Sequence, residues 1–159
     1  MGLPPNMRLI TNVGPPGSLQ KFPPLPHGDK AVLRIVLPLP PTVNNYRACV
    51  FIGGKPRLIT SKAGRQYHQA VKSAVYDQLP TQAPLSGRLC VWILCSMARN
   101  GKSDLDNRVK PALDALTAAG VWRDDSQIDI LHVMRGPVEA PGRLDVRIEE
   151  TYPARGPGG

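Results

Sequence analysis

Cysteine is scarce in this chain. Cys49, Cys90 and Cys95 are an odd number and form no C-x-x-C pair. That disfavours a disulfide scaffold and a zinc ribbon, and it makes a reducing, intracellular (cytoplasmic) setting the default. No run of 18 apolar residues occurs, so no membrane-spanning helix is expected. The opening MGLPPNMRLITNVGPPG lacks the continuous apolar stretch of a secretory signal. Gly2 superficially matches a myristoylation start, but Asn6 stands where Ser or Thr is required. Acid is the scarcer charge: 12 Asp and Glu face 20 Lys and Arg, for a net charge of +8.

The charge that is present is unevenly placed. Residues 1–103 carry a balance of +11, and residues 104–159 a balance of −3. A polyanionic partner suits the first part, nucleic acid being the usual one, although a merely solvated basic surface would read the same way. Six of the 12 acids (Asp104, Asp106, Asp114, Asp124, Asp125 and Asp129) fall within 26 residues. Carboxylates repel, so gathering them costs stability unless cations, protons or solvent relieve the repulsion.

At 159 residues the length suits one domain with a single core. Residues 1–29 read as a flexible Pro/Gly-rich leader, 30–152 as the folded unit, and 153–159 as a disordered tail. Ala31 to Leu37 reads as a buried strand ended by Pro38. In the following PTVNNYR, Asn44, Asn45 and Arg47 suit either turn chemistry or a loop contacting phosphates and bases. Cys49 to Ile52 and Arg57 to Thr60 flank a Gly-Gly turn and read as a hairpin. The G-G-K-P there lacks phosphate-loop spacing.

Thr60 or Ser61 caps a predicted helix that runs to Leu79 and stops at Pro80. Its core stripe is Tyr67, Ala70, Val71, Ala74, Val75 and Leu79. Lys62 and Arg65 lie off that stripe, on a basic face that is either solvated or turned to DNA. His68 reads as a boundary residue. Arg88 to Ser96 is a nearly continuous apolar run, as expected of a central strand. A basic, turn-rich link carrying Arg99 and Lys102 follows.

The next predicted helix has Val109, Ala112, Leu113, Leu116 and Ala119 as its stripe and Gly120 as its stop. Proline is best tolerated at the first helical position, so Pro111 predicts that the regular helix starts near Lys110. Asp104 and Asp106 would then lie in an extended entry segment, both side chains pointing the same way. Asp129 to Arg135 and Arg143 to Glu149 complete the strands. In the second of these, alternation of Leu144, Val146 and Ile148 with Asp145, Arg147 and Glu149 predicts a half-buried strand. The order gives an α/β (α+β) fold: a compact mixed, mostly antiparallel sheet with two packed helices.

Three readings of the acid cluster compete. Asp104, Asp106 and Asp125 could bind Mg²⁺ or Mn²⁺, hard cations that take oxygen ligands, with Lys110 facing the developing charge. A structural calcium site is the second reading, but Arg108 stands where an EF-hand needs a ligand. In the third, the acids are caps and turn residues, Asp106 at a helix start and Asp124-Asp125 in a turn.

The stretch DLDNRVKPALDALTAAGVWRDDSQI resembles the signature of the RusA family of Holliday-junction resolvases. The resemblance extends backward to LPLPPTVNNYR and forward to GRLDVRIEE, covering about residues 31–150. It implies a divalent-metal-dependent endodeoxyribonuclease, using Mg²⁺ with Mn²⁺ as a possible substitute, that resolves four-way junctions by paired symmetric nicks. Asp104, Asp106 and Asp125 become metal-binding catalytic carboxylates, Asp124 an accessory acid, and Lys110 a catalytic or phosphate-contacting lysine. Asn107 becomes a site-shaping residue, and Asp114 a structural one.

The family is bacterial or phage-encoded, and the implied assembly is a homodimer with two sites on one basic face. Asn44, Asn45, Arg47, Lys62, Arg65, Arg99 and Lys102 are the expected DNA contacts. The Pro/Gly leader and Pro111 depart from the better-known family pattern. The alternatives are a non-catalytic branched-DNA-binding protein with structural acids, or a metal nuclease of other branched DNA.

Overall fold

The structure is a computed structural model that describes residues 32–152. The expected leader and tail lie outside the described residues. Six strands and two long helices are present: β1 (Val32–Pro38), β2 (Arg47–Ile52), β3 (Lys55–Thr60), β4 (Arg88–Ser96), β5 (Ile128–Arg135) and β6 (Arg143–Tyr152). A one-turn helix, α1 (Val43–Tyr46), precedes β2, and the long helices are α2 (Lys62–Gln78) and α3 (Asp106–Ala118). A 3₁₀ turn, Asp125–Gln127, leads into β5.

Four strands form one sheet in the order β1-β6-β4-β5. β6 runs antiparallel to both β1 and β4, and only β4–β5 is parallel, so the sheet is mixed and mostly antiparallel as expected. Parallel neighbours need a crossover, and α3 supplies it. Among the described residues β2 and β3 pair only with each other.

The core lies between the sheet and the two long helices. Ile35, Leu37, Val91, Ile93, Leu144, Val146 and Ile148 face Tyr67 and Val71 of α2 and Ala112, Leu113 and Leu116 of α3. Burying one such side chain contributes about 1.5–3 kcal/mol. Ser61 caps α2 by accepting from the Gly64 amide at 3.0 Å. The edge strand β1 is blunted by Gln78, whose side-chain amide accepts from the Val36 N–H (2.8 Å) and donates to its carbonyl (2.7 Å).

Four expectations are corrected. α3 begins at Asp106 rather than near Lys110. Pro111 sits in its second turn, where it withholds one amide from the Asn107 carbonyl. Its ring is buried, and the Arg108 guanidinium ties the first turn to the Pro40 carbonyl. Leu105 is helical (φ −65°, ψ −42°), so Asp104 and Asp106 are not alternate residues of an extended segment. Ala70 is exposed rather than part of the α2 stripe.

β6 is buried on both faces, with Asp145 2% and Arg147 1% exposed, because it is an inner strand whose polar side is also packed. Trp92 of β4 stacks on His132 of β5 at 3.7 Å between ring centroids, and the Arg147 guanidinium lies 5.9 Å from the Trp92 ring.

Candidate active site

The acid-rich stretch wraps α3, and its two ends are built differently. β4 ends at Ser96, and a loop leads to Asp104 and then into the helix. Both ends of this loop are held by neighbours through the backbone. Met97 accepts at its carbonyl from the Glu139 amide (2.9 Å), and the Ser103 carbonyl accepts from the Arg135 guanidinium (2.6 Å). Asp104 is exposed, and among the described residues its side chain makes no hydrogen bond or ion pair. Asp106 is the first helical residue, and its Oδ1 accepts only from the neighbouring Asn107 amide (2.9 Å). No side chain caps this helix. The positive end of the helix dipole favours anionic groups there.

At the other end the chain is tightly fixed. Gly120 takes φ +78°, the left-handed conformation that lets the helix stop there. Trp122 is buried and donates from Nε1 to the Thr117 hydroxyl at 2.6 Å. Asp124 caps the 3₁₀ turn by accepting from the Ser126 amide at 2.8 Å. The Ser126 hydroxyl and then that amide, both hydrogen-bonding to the carboxylate, hold it below the usual range.

Gln127 then locks the turn to the sheet. Its Oε1 accepts from the Arg123 and Asp124 amides, and its Nε2 donates to the Leu85 and Gly87 carbonyls, all at 2.9 Å. Gln127 is a residue that sequence reasoning missed. Only the S-x-x-E/Q type of spacing from Asp124 could have signalled it.

Lys110 joins the two sides. Its Nζ lies 2.6 Å from Asp114 Oδ1 and 3.2 Å from Asp125 Oδ2. The hydrogen bond to Asp114, with help from Asp125, raises its pKa, so the ammonium is firmly charged. Asp114 also meets Arg47 at 3.5 Å, and the Arg47 guanidinium lies 5.3 Å from the Tyr46 ring. Burial, then the charge of Asp114, raises the Tyr46 pKa, and the Tyr46 hydroxyl and His68 Nε2 share a 2.7 Å hydrogen bond. Asp114 is therefore more than a helix residue. It is the partner that links Lys110 to the α1–β2 corner.

That corner depends on Gly64. A Cβ there would come within 2.8 Å of the Tyr46 carbonyl oxygen, so only glycine lets the first turn of α2 approach α1.

The structure thus brings Lys110, Asp125, Asp114 and Arg47 together. Asn44 and Asn45 are exposed on α1, Lys62 and Arg65 in the first turn of α2, and Arg99 and Lys102 on the loop before Asp104. Asp104, Asp106 and Asp125 offer only oxygen donors, the chemistry a hard divalent cation takes. Among the described residues, however, no three His, Cys, Asp or Glu stand together as a metal-holding group. Asp104 and Asp106 lie at the head of α3, and Asp125 meets Lys110 one turn further along.

A small α+β domain with a basic surface, carrying carboxylates and a lysine at a helix start, suits a phosphodiester-acting enzyme. The comparisons with known proteins are specific. Residues 38–149 match the family model described as "Endodeoxyribonuclease RusA", so the chain belongs to the RusA endodeoxyribonuclease family, a family of nucleases.

Among its relatives is the crossover junction endodeoxyribonuclease RusA of Escherichia coli strain K12. The two are 34% identical over 116 residues, 73% of this chain and 92% of the relative. The protein of the same name from Enterobacteria phage 82 matches to the same extent. That of phage HK97 is 33% identical over 117 residues, 74% of this chain and 93% of the relative. Among the described residues no helix is long and apolar enough to cross a membrane.

Proposed function

We propose that this protein is a Mg²⁺-dependent endonuclease that resolves four-way DNA junctions by paired symmetric nicks, as an intracellular homodimer. Family membership supports the nuclease chemistry. The observation that carries the site assignment is Lys110, held between Asp114 and Asp125 one turn from Asp106.

Asp104, Asp106 and Asp125 would hold the cation, with Asp124 beside them, and Mn²⁺ would substitute. A divalent cation bound there supplies Lewis-acid polarisation of the scissile phosphate. Lys110 keeps its proton and presents a fixed positive charge toward the phosphoryl oxygens as their charge develops. Asp114 positions that ammonium, and Gln127 fixes the turn that carries Asp125.

Asn44, Asn45, Arg47, Lys62, Arg65, Arg99 and Lys102 contact the DNA backbone, positioning it rather than reading its sequence. Twofold symmetry suits the reaction, since two equivalent strands must each meet one site.

One observation favours a second reading, a branched-DNA-binding protein whose acids are structural: no three acids converge among the described residues. Asp124 already serves as a cap. A synthetic four-way junction incubated with and without Mg²⁺ separates the two readings. Lys110→Met is expected to bind the junction but to cut it about 10²-fold more slowly. Equal rates for Lys110→Met and wild type would remove the lysine from the mechanism. Binding without nicking at any Mg²⁺ concentration would establish the second reading.

A further inference from the structure

The β2–β3 hairpin is the least explained part of the molecule. Among the described residues its strands pair only with each other, and it carries four exposed large apolar side chains, Phe51, Ile52, Leu58 and Ile59. Phe51 is 75% exposed, Leu58 66% and Ile52 61%. The register sets Cys49 opposite Leu58 and Phe51 opposite Pro56, so these four share one face as a continuous apolar strip. Lys55 and Arg57 pair with Ile52 and Val50 on the other face.

The tip is Gly53-Gly54, with φ +60° and +74°. A Cβ at either would meet nothing within 4 Å, so the tip stands clear of the other described residues. A solvent-facing apolar strip of this kind is costly to maintain and marks a contact surface.

Its base stands at the candidate site. Arg47 opens β2 and pairs with Asp114, the partner of Lys110, and the Ser61 amide donates to the Tyr46 carbonyl (2.9 Å) to close the hairpin. Two six-residue strands reach roughly 20 Å from that base. The segment from Arg47 to Thr60 holds three basic residues and no acid, and Lys62 and Arg65 follow. A second copy of this chain would cover the strip but bring a hairpin of the same positive charge, with no acid to neutralise Arg47, Lys55 and Arg57. Nucleic acid suits both faces of the hairpin, with base faces for Phe51, Pro56 and Leu58 on one and phosphates for Lys55 and Arg57 on the other. Phe, Leu, Ile and Pro are the side chains that wedge between base steps.

Resting on the proposed action on branched DNA, we infer that the β2–β3 hairpin enters the opening of the junction and stacks Phe51, backed by Pro56 and Leu58, against bases at the branch point while Lys110 faces a phosphate.

The test uses the full chain and a four-way junction carrying 2-aminopurine beside the branch point, without divalent metal. Wild type is expected to raise the fluorescence severalfold by unstacking the base. Phe51→Ala combined with Leu58→Ala should lose that rise and weaken junction binding about tenfold, a larger loss than on linear duplex. Phe51→Trp should keep the rise.

Wild type that binds the junction with no fluorescence change overturns the inference and leaves the nuclease reading standing. So does a double variant that keeps the rise. A double variant that turns a dimer into a monomer in sedimentation assigns the strip to a second copy and likewise overturns it. Failure of wild type to bind any junction removes both readings.

Discussion

The two ends of α3 make an instructive pair. At the exit, Thr117, Trp122, Asp124 and Gln127 form a closed set of hydrogen bonds that leaves Asp125 one placement, against Lys110. At the entry, the Asp104 side chain makes no hydrogen bond or ion pair among the described residues, and Asp106 bonds only to the adjacent amide. Folding energy has built one half of the site and left the other half's carboxylates unengaged. Unengaged carboxylates at a helix start are available to a ligand. Asp125 gives one oxygen to Lys110 and keeps the other for a ligand.

The largest expected effect sharpens this contrast through activity. Asp104→Asn and Asp106→Asn should each slow junction cleavage by about 10²–10³-fold in single-turnover assays, on the scale of losing one strong electrostatic contact to the transition state. Their unfolding free energies should stay within about 0.5 kcal/mol of wild type, because no folded-state partner is lost. A clear stability loss at either would show that the entry acids are structural, and the contrast would break.

The opposite pattern is expected of Gln127→Ala. It strands two carbonyls and two amides, each buried unsatisfied group costing about 1–3 kcal/mol, with some relief from water. A net loss of about 3 kcal/mol should appear as a lower urea midpoint with an unchanged slope. A midpoint equal to that of wild type would mean that the exit is no better built than the entry.

A smaller effect concerns the loop before Asp104. Arg99 and Lys102 are exposed there, and replacing both with Ala should reduce the salt dependence of junction binding by about two charge contacts, roughly 0.9 in log–log slope for each. An unchanged slope would take this loop out of the DNA surface.

The smallest effect belongs to Asp124. Its pKa is lowered in the folded state, so its cap contributes stability above the ordinary Asp value of 3.8, and that stability is lost as pH falls through the folded value. The carboxylate is exposed, so the change is slight. Acid titration of stability should be shallower below pH about 4 in Asp124→Asn, which can still cap as a neutral amide. Identical acid limbs would show that the hydrogen bond to Ser126 persists in the unfolded chain or adds nothing.

Much of the fold is legible in the residues themselves. The apolar run Arg88–Ser96 is an inner strand, Ser61 caps α2, and Gly120 ends α3. These features rest on local propensity and periodicity, which act without long-range partners. What misled was tertiary compensation. Pro111 is a helix breaker by itself, yet burial of its ring and the Arg108 tie to Pro40, 68 residues away, carry the helix past it. The alternation in β6 reads as a solvated face, whereas Arg147 lies beside the Trp92–His132 stack.

The candidate site divides the same way. Lys110 and Asp125 are separated by 15 residues and meet at 3.2 Å. The roles of Gly64, Asp114 and Gln127 depend on neighbours that no local pattern names.

The most direct measurement of the central claim is nicking of a synthetic four-way junction by wild type, Asp106→Asn and Asp125→Asn, each with and without Mg²⁺. The account predicts paired symmetric nicks from wild type with Mg²⁺ alone, and nicking slowed by at least about 10²-fold in either variant although both still bind. Nicking by Asp106→Asn or Asp125→Asn at the wild-type rate, or junction binding by wild type with no nicking in Mg²⁺, would contradict it.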